Sequence, residues 1–114
     1  MVSAENRLSG ERNFKRLMTR GRSFFSRFLT VRVVKNNLKV SRFAFVVSVK
    51  TAKKAVDRNK LKRRLREIIR LDLTKIKTGH DILIAGKKPA LDSDYWELKD
   101  RLFELLKKAR LLQQ

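Results

Sequence analysis

Apolar residues recur along the chain at two different spacings, and each spacing predicts a different kind of element. Phe14, Leu17 and Met18 share one face at helical spacing, Ser9 offers a cap, and Gly21 stands just beyond. Together these predict a helix from Gly10 to about Thr19. Phe24 to Lys35 and Arg42 to Lys50 are instead rich in Val, Phe and Thr and alternate with period two. Leu29, Val31 and Val33 oppose Phe28, Thr30 and Arg32, while Phe43, Phe45, Val47 and Val49 oppose Ala44, Val46 and Ser48. With Asn36-Asn37 between them, these two runs are expected to form a hairpin.

Helical spacing returns from about Arg58 to Leu73, where Asp57 is the expected N-cap. At about 100° per residue, Leu61, Leu65, Ile68 and Ile69 fall within roughly a quarter turn. Asn59, Lys62, Arg63, Arg66 and Arg70 line the opposite ridge, each three or four residues from the next. The unbroken apolar run Ile82 to Ala85 predicts a short strand buried on both faces. A last helix is expected to start near Asp92 to Asp94, where Asp94 and Glu97 have capping-box spacing. Its stripe Tyr95, Leu98, Leu102, Leu105, Ala109, Leu112 could form a coiled-coil seam, but Trp96, Phe103 and Leu106 widen the face and favour packing on a sheet. The order implies an α+β sandwich, with room for further short strands.

Composition narrows the chemistry. The chain has 114 residues, suited to a single domain over 1–114, and its 42% hydrophobic content can supply a core. It has no Cys and one His, which excludes disulfide scaffolds, thiolate chemistry and a histidine metal cluster. No apolar run approaches the ~18 residues of a membrane helix, and the N-terminus has no secretory h-region, so a soluble cytoplasmic protein is expected. Thirty Lys and Arg face eleven Asp and Glu, a formal charge of +19. Residues 1–37 contribute +7, residues 38–80 contribute +11 and residues 81–114 only +1. Such a surface calls for a polyanion; nucleic acid is favoured, with an anionic membrane surface the lesser alternative.

The helix from Arg58 concentrates this charge. A solvated basic face is the plain explanation for a charge run, but such a face normally intersperses acids, and here only Glu67 does so. Like charges three or four residues apart repel one another, and phosphates would relieve that repulsion. Phe14 and Phe28 are core candidates taken singly. Beside Arg12, Arg16 and Arg32 they also suit the stacking of single-stranded RNA bases, at about 1 to 3 kcal/mol each. Catalytic groups are scarce: His80 reads as a turn residue, and Asp92 and Asp94 as helix-start acids.

Arg58-Asn59-Lys60-Leu61-Lys62-Arg63-Arg64-Leu65-Arg66-Glu67 closely resembles the arginine-asparagine-arginine motif helix of the bacterial ribonuclease P protein subunit. The resemblance extends to Arg7-Leu8, Phe14 and Gly21 before it, and to Asp81-Ile82-Leu83-Ile84-Ala85 and Lys87-Lys88-Pro89-Ala90 after it, and so spans nearly the whole chain. It implies an αβββαβα order with a mixed sheet and a left-handed βαβ crossover, where general rules favour the right hand.

It also implies an accessory subunit, monomeric without RNA and unconnected with membranes. Such a subunit binds the catalytic RNA of ribonuclease P and precursor tRNA, and assists hydrolytic removal of the 5′ leader. The active site and its magnesium belong to the RNA, and the protein itself binds no cofactor tightly. By this resemblance Arg58, Asn59, Lys60, Lys62, Arg63, Arg66 and Arg70 face RNA, and Phe14, Met18, Phe28, Arg32 and Lys50 form a leader-binding cleft. Three positions depart from the family pattern. Lys60 lacks the bidentate guanidinium fork. Lys50-Thr51 stands where two bases are common, and Met18 replaces a frequent aromatic. Rival readings are a structural or general RNA-binding protein, a protein-only nuclease using His80, Asp92 or Asp94, and a DNA-binding module. No recognition-helix or dimer signal supports the last.

Overall fold

Four strands carry the alternating apolar positions, and their pairing decides where every other element lies. In the computed structural model, which describes residues 3–113, the order is α1 (Glu11–Arg20), β1 (Arg22–Phe25), β2 (Leu29–Lys35), β3 (Arg42–Val46), α2 (Ala55–Leu71), β4 (His80–Gly86) and α3 (Tyr95–Lys108). Short 3-10 turns occur at Ala4–Asn6, Leu73–Lys75 and Lys88–Asp92. The sheet runs β1-β2-β4-β3, antiparallel except for the β3/β4 pair, which is parallel and connected through α2. The fold is the expected mixed-sheet α+β arrangement.

The hairpin, however, is not the one expected from Asn36-Asn37. β2 and β3 are not neighbours, because β4 lies between them. The hairpin is β1–β2, closed where the Ser26 hydroxyl accepts from the Phe28 and Leu29 amides at 3.2 and 3.1 Å. Such a serine turn is a local signal, whereas pairing with β4 brings together residues about fifty apart. Asn36 serves the longer connection: its amide donates to Asp81 and to the Val40 carbonyl, while Asn37 takes the left-handed conformation at φ 61°.

One face of the sheet holds the main core. Leu29, Val31, Val33, Phe43, Ile82 and Ile84 meet Leu61, Leu65, Ile68 and Ile69 of α2 and Leu98, Leu102, Leu105 and Leu106 of α3. α2 lies over β3 and β4, and α3 over β1 and β2. Gly86 permits the approach of α2, since a Cβ there would stand 2.5 Å from Leu61 Cδ2. α1 crosses the other face, where Leu17 and Leu8 pack with Ala44, Phe14, Val34 and Leu83. β4 is accordingly not buried evenly: Ile82 and Ile84 are fully enclosed, but Leu83 and Ala85 are only half-buried because α1 covers part of that face.

Element ends differ from expectation where caps were inferred from residue type. α1 is preceded by Gly10 at φ 93°, not capped by Ser9, whose carbonyl instead accepts from the Asn13 amide. α2 begins at Ala55, three residues before Arg58, so Asp57 sits in its first turn, where a carboxylate favours the positive end of the helix dipole. It ends at Leu71, two residues short of Leu73. β3 stops at Val46 rather than reaching Lys50. Asp94 does cap α3, accepting from the Glu97 amide at 2.9 Å.

Candidate nucleic-acid interface

Burial of Leu61, Leu65, Ile68 and Ile69 fixes the rotation of α2, and the basic ridge follows from it. Asn59, Lys60, Arg63 and Arg66 are exposed and Lys62 is half-buried. Not every motif cation is free. Arg58 donates to the Ala52 and Lys53 carbonyls at 2.9 and 2.7 Å, tying down the segment that enters the helix. Arg64 is held by the Ser93 carbonyl at 2.8 Å. Arg70 pairs with Glu67, which lowers the glutamate pKa through the Arg70 hydrogen bond and raises that of Arg70. The available cations are therefore Lys60, Lys62, Arg63 and Arg66, the last lying 5.8 Å from the Phe45 ring centroid.

Arg63 and Arg66 form one wall of an open cleft of about 810 Å³ along the β3 edge. Phe14 and Arg7 stand on the opposite side, and Phe43 to Val46 supply the floor. The cleft joins two elements distant in sequence, α1 and α2, around an edge strand.

On the α1 side of the sheet the register stacks residues in rows. Ser23, Arg32, Leu83 and Ala44 form a row beneath α1. The next row, Phe25, Thr30, Ala85 and Val46, runs across all four strands. Phe25 and Val46 are 65% and 40% exposed, so this row is an open apolar floor. Lys87 Nζ lies 5.6 Å from the Phe25 centroid and donates to the Ser26 carbonyl, placing a cation beside an accessible ring. Neither Phe25 nor Val46 was singled out from the sequence. The signal was present, since Phe25 alternates with Ser23, but the assumed hairpin hid the cross-strand row.

The five residues inferred for the cleft separate into four groups. Phe14 lines it, and Met18 is 55% exposed on the same helix. Arg32 is not a free cation: its guanidinium donates to the Leu17 and Met18 carbonyls at 2.9 and 2.6 Å and to the Ser23 hydroxyl, clamping the end of α1 to the sheet. Lys50 is exposed in the loop after β3. Phe28 does not join the others. It packs against the main core, with the Arg101 guanidinium of α3 5.3 Å from its centroid, because its turn folds toward α3.

Buried Asp81 locks the same wall. It accepts from both Arg42 nitrogens and from Arg16 at 2.8 Å, and from Asn36 at 2.9 Å. The length of β4 separates His80, at its start, from Asp92 and Asp94, which follow its end. Among the described residues no group of three or more His, Asp or Glu could hold a metal ion, and no helix is long and apolar enough to cross a membrane.

Comparison with known proteins agrees with this architecture. The "Ribonuclease P" family model matches residues 2–110. The ribonuclease P protein component of Alkaliphilus metalliredigens is 33% identical, with 97% of this chain and 99% of that protein aligned. The solved RNase P protein of Staphylococcus aureus superposes with a TM-score of 0.85 at 28% identity, covering 95% of this chain and 98% of the other. That of Thermotoga maritima gives 0.82 at 35% identity, covering 90% and 96%. With the motif helix, sheet order and crossing helices all in place, the chain belongs to the ribonuclease P protein component family.

Proposed function

We propose that this protein binds the catalytic RNA subunit of ribonuclease P through the α2 ridge, and holds the 5′ leader of precursor tRNA along the cleft and open sheet floor. Membership of the family implies participation in tRNA-processing endonuclease activity in a ribonucleoprotein. The observation that carries the finer reading is the juxtaposition of free cations with accessible aromatic and apolar surface. Arg63 and Arg66 line a cleft reaching Phe14, Lys60 and Lys62 stand on the same helix, and Phe25 stands open beside Lys87. Cations neutralise phosphates and release their counterions, while exposed rings accept unstacked bases. Contacts to the leader favour precursor over mature tRNA, because the mature molecule has lost that segment.

The bond-breaking step belongs to the RNA in this reading, and magnesium acts with it. The polypeptide is a positioning subunit, monomeric before RNA binds and cytoplasmic. The test adds the protein to its cognate RNA subunit and precursor tRNA at low magnesium. Stimulated leader cleavage is expected, and a Lys62→Gln/Arg66→Gln variant should lose most of the stimulation while melting normally. No stimulation, with equal binding to any RNA, would leave a general RNA-binding protein. Cleavage by polypeptide alone would indicate a protein-only nuclease.

A further inference from the structure

A second basic cluster lies away from the α2 ridge. Lys35 and His80 are directly opposed partners of β2 and β4, so their Cβ atoms lie about 5 Å apart. Arg22 pairs with Val33, two residues from Lys35, which by alternation puts Arg22, Lys35 and His80 at the rim of one face. Lys77 enters from the segment preceding β4, anchored by its amide to the Leu111 carbonyl at 2.6 Å. Arg22, Lys35 and Lys77 are exposed, and among the described residues none of them forms an ion pair with a carboxylate. Adjacent Asp81 points to the other face and is committed to Arg16 and Arg42. The segment whose Leu111 carbonyl takes the Lys77 amide carries Lys107, Lys108 and Arg110 and no acid.

His80 registers this field. Burial, together with Lys35, Lys77 and Arg22, holds its imidazole below the usual histidine range, against the opposing effect of its hydrogen bond to the Thr78 carbonyl. Three unneutralised cations around a half-buried imidazole repel one another unless an anion joins them. Arg22 lies on the edge strand β1, three strand spacings or about 14 Å across the sheet from the β3 edge that carries the Arg63/Arg66 cleft, with Lys35 and His80 on the two strands between.

We propose that Arg22, Lys35, Lys77 and His80 form a second phosphate-binding corner, which docks an RNA backbone segment distinct from the one on α2. The proposal rests on the RNA-binding reading above and extends it, adding a further RNA contact to those on α2 and along the cleft.

His80 is the only histidine, so one pair of imidazole resonances reports the corner directly. The intact protein is titrated with its cognate RNA subunit, and separately with inorganic phosphate, while those resonances are followed across pH. With RNA, the imidazole pKa should rise, since docked phosphate favours the charged ring. A Lys35→Gln/Lys77→Gln variant should bind the RNA three- to tenfold more weakly and lose about 2 from the slope of log K against log salt. A response to inorganic phosphate but none to RNA would overturn the proposal in favour of a free-anion site. So would an unmoved His80 in saturated complex, or unchanged affinity and slope in the variant. Loss of binding in Lys62→Gln/Arg66→Gln beside a neutral corner variant would sink this proposal alone. Failure of the unaltered protein to bind its RNA would instead sink the reading on which it rests.

Discussion

Leu65 and Arg66 are neighbours in sequence with opposite surroundings, and they offer a sharp check on how α2 works. Leu65 is fully buried between helix and sheet, so Leu65→Ala should cost about 2 to 5 kcal/mol of stability. Arg66 is exposed beside Phe45, and Arg66→Ala should leave melting nearly unchanged while weakening RNA binding. Thermal melts and RNA titrations of the pair decide this, and the reverse ranking would contradict the observed rotation. Asp81 makes a second residue-level case. Burial acts to raise its pKa, but hydrogen bonds from Arg42, Asn36 and Arg16 outweigh burial and hold the carboxyl below the usual aspartate range. A depressed folded-state pKa gives stability that is fully present above the unfolded value of about 3.9 and is lost as pH falls through the lower folded value. Asp81→Asn should therefore cost about 3 to 5 kcal/mol at neutral pH, because two guanidinium groups lose their counterion. It should also weaken the dependence of melting temperature on pH in acid, which calorimetry below pH 4 would reveal.

At the scale of elements, the parts legible in the sequence were those set by local periodicity. The apolar quarter of α2 and the Asp94 N-cap of α3 lie where spacing put them, since a wheel position and an i,i+3 pair depend on nothing distant. The hairpin and the isolated cleft residues were not legible for the converse reason. Whether β2 pairs with β3 or β4 is settled by long-range packing, and Phe28 turns toward Arg101 only once α3 is in place. Arg32 shows the consequence for function. As a sequence position it resembles a phosphate ligand, yet its donors are used on the α1 carbonyls and Ser23. Arg32→Ala should thus cost about 2 kcal/mol and speed hydrogen exchange in the last turn of α1. Arg32→Lys should recover little, because an ammonium cannot reproduce the fork. Unchanged melting with weakened leader binding would instead show that the side chain touches RNA directly.

For the whole molecule, the distribution of free charge matters more than its total. Of the thirty basic residues, Arg58, Arg64 and Arg70 on the motif helix already have protein partners, so the +19 overstates what RNA meets there. The four remaining ridge cations, acting alone, would give log K against log salt a slope of roughly −3. Adding the three corner cations Arg22, Lys35 and Lys77 and the exposed Lys50 raises the phosphates neutralised to about eight and steepens the slope to roughly −6 to −7. Binding of the cognate RNA subunit measured across a salt series separates these cases, because the slope counts the phosphates neutralised. A slope near −3 would confine binding to α2, whereas a slope near −6, falling by about 2 in either the ridge or the corner double variant, would require RNA at both the ridge and the corner. A slope shallower than about −2 would remove the electrostatic basis of binding altogether, since even the ridge alone exposes more cations than that.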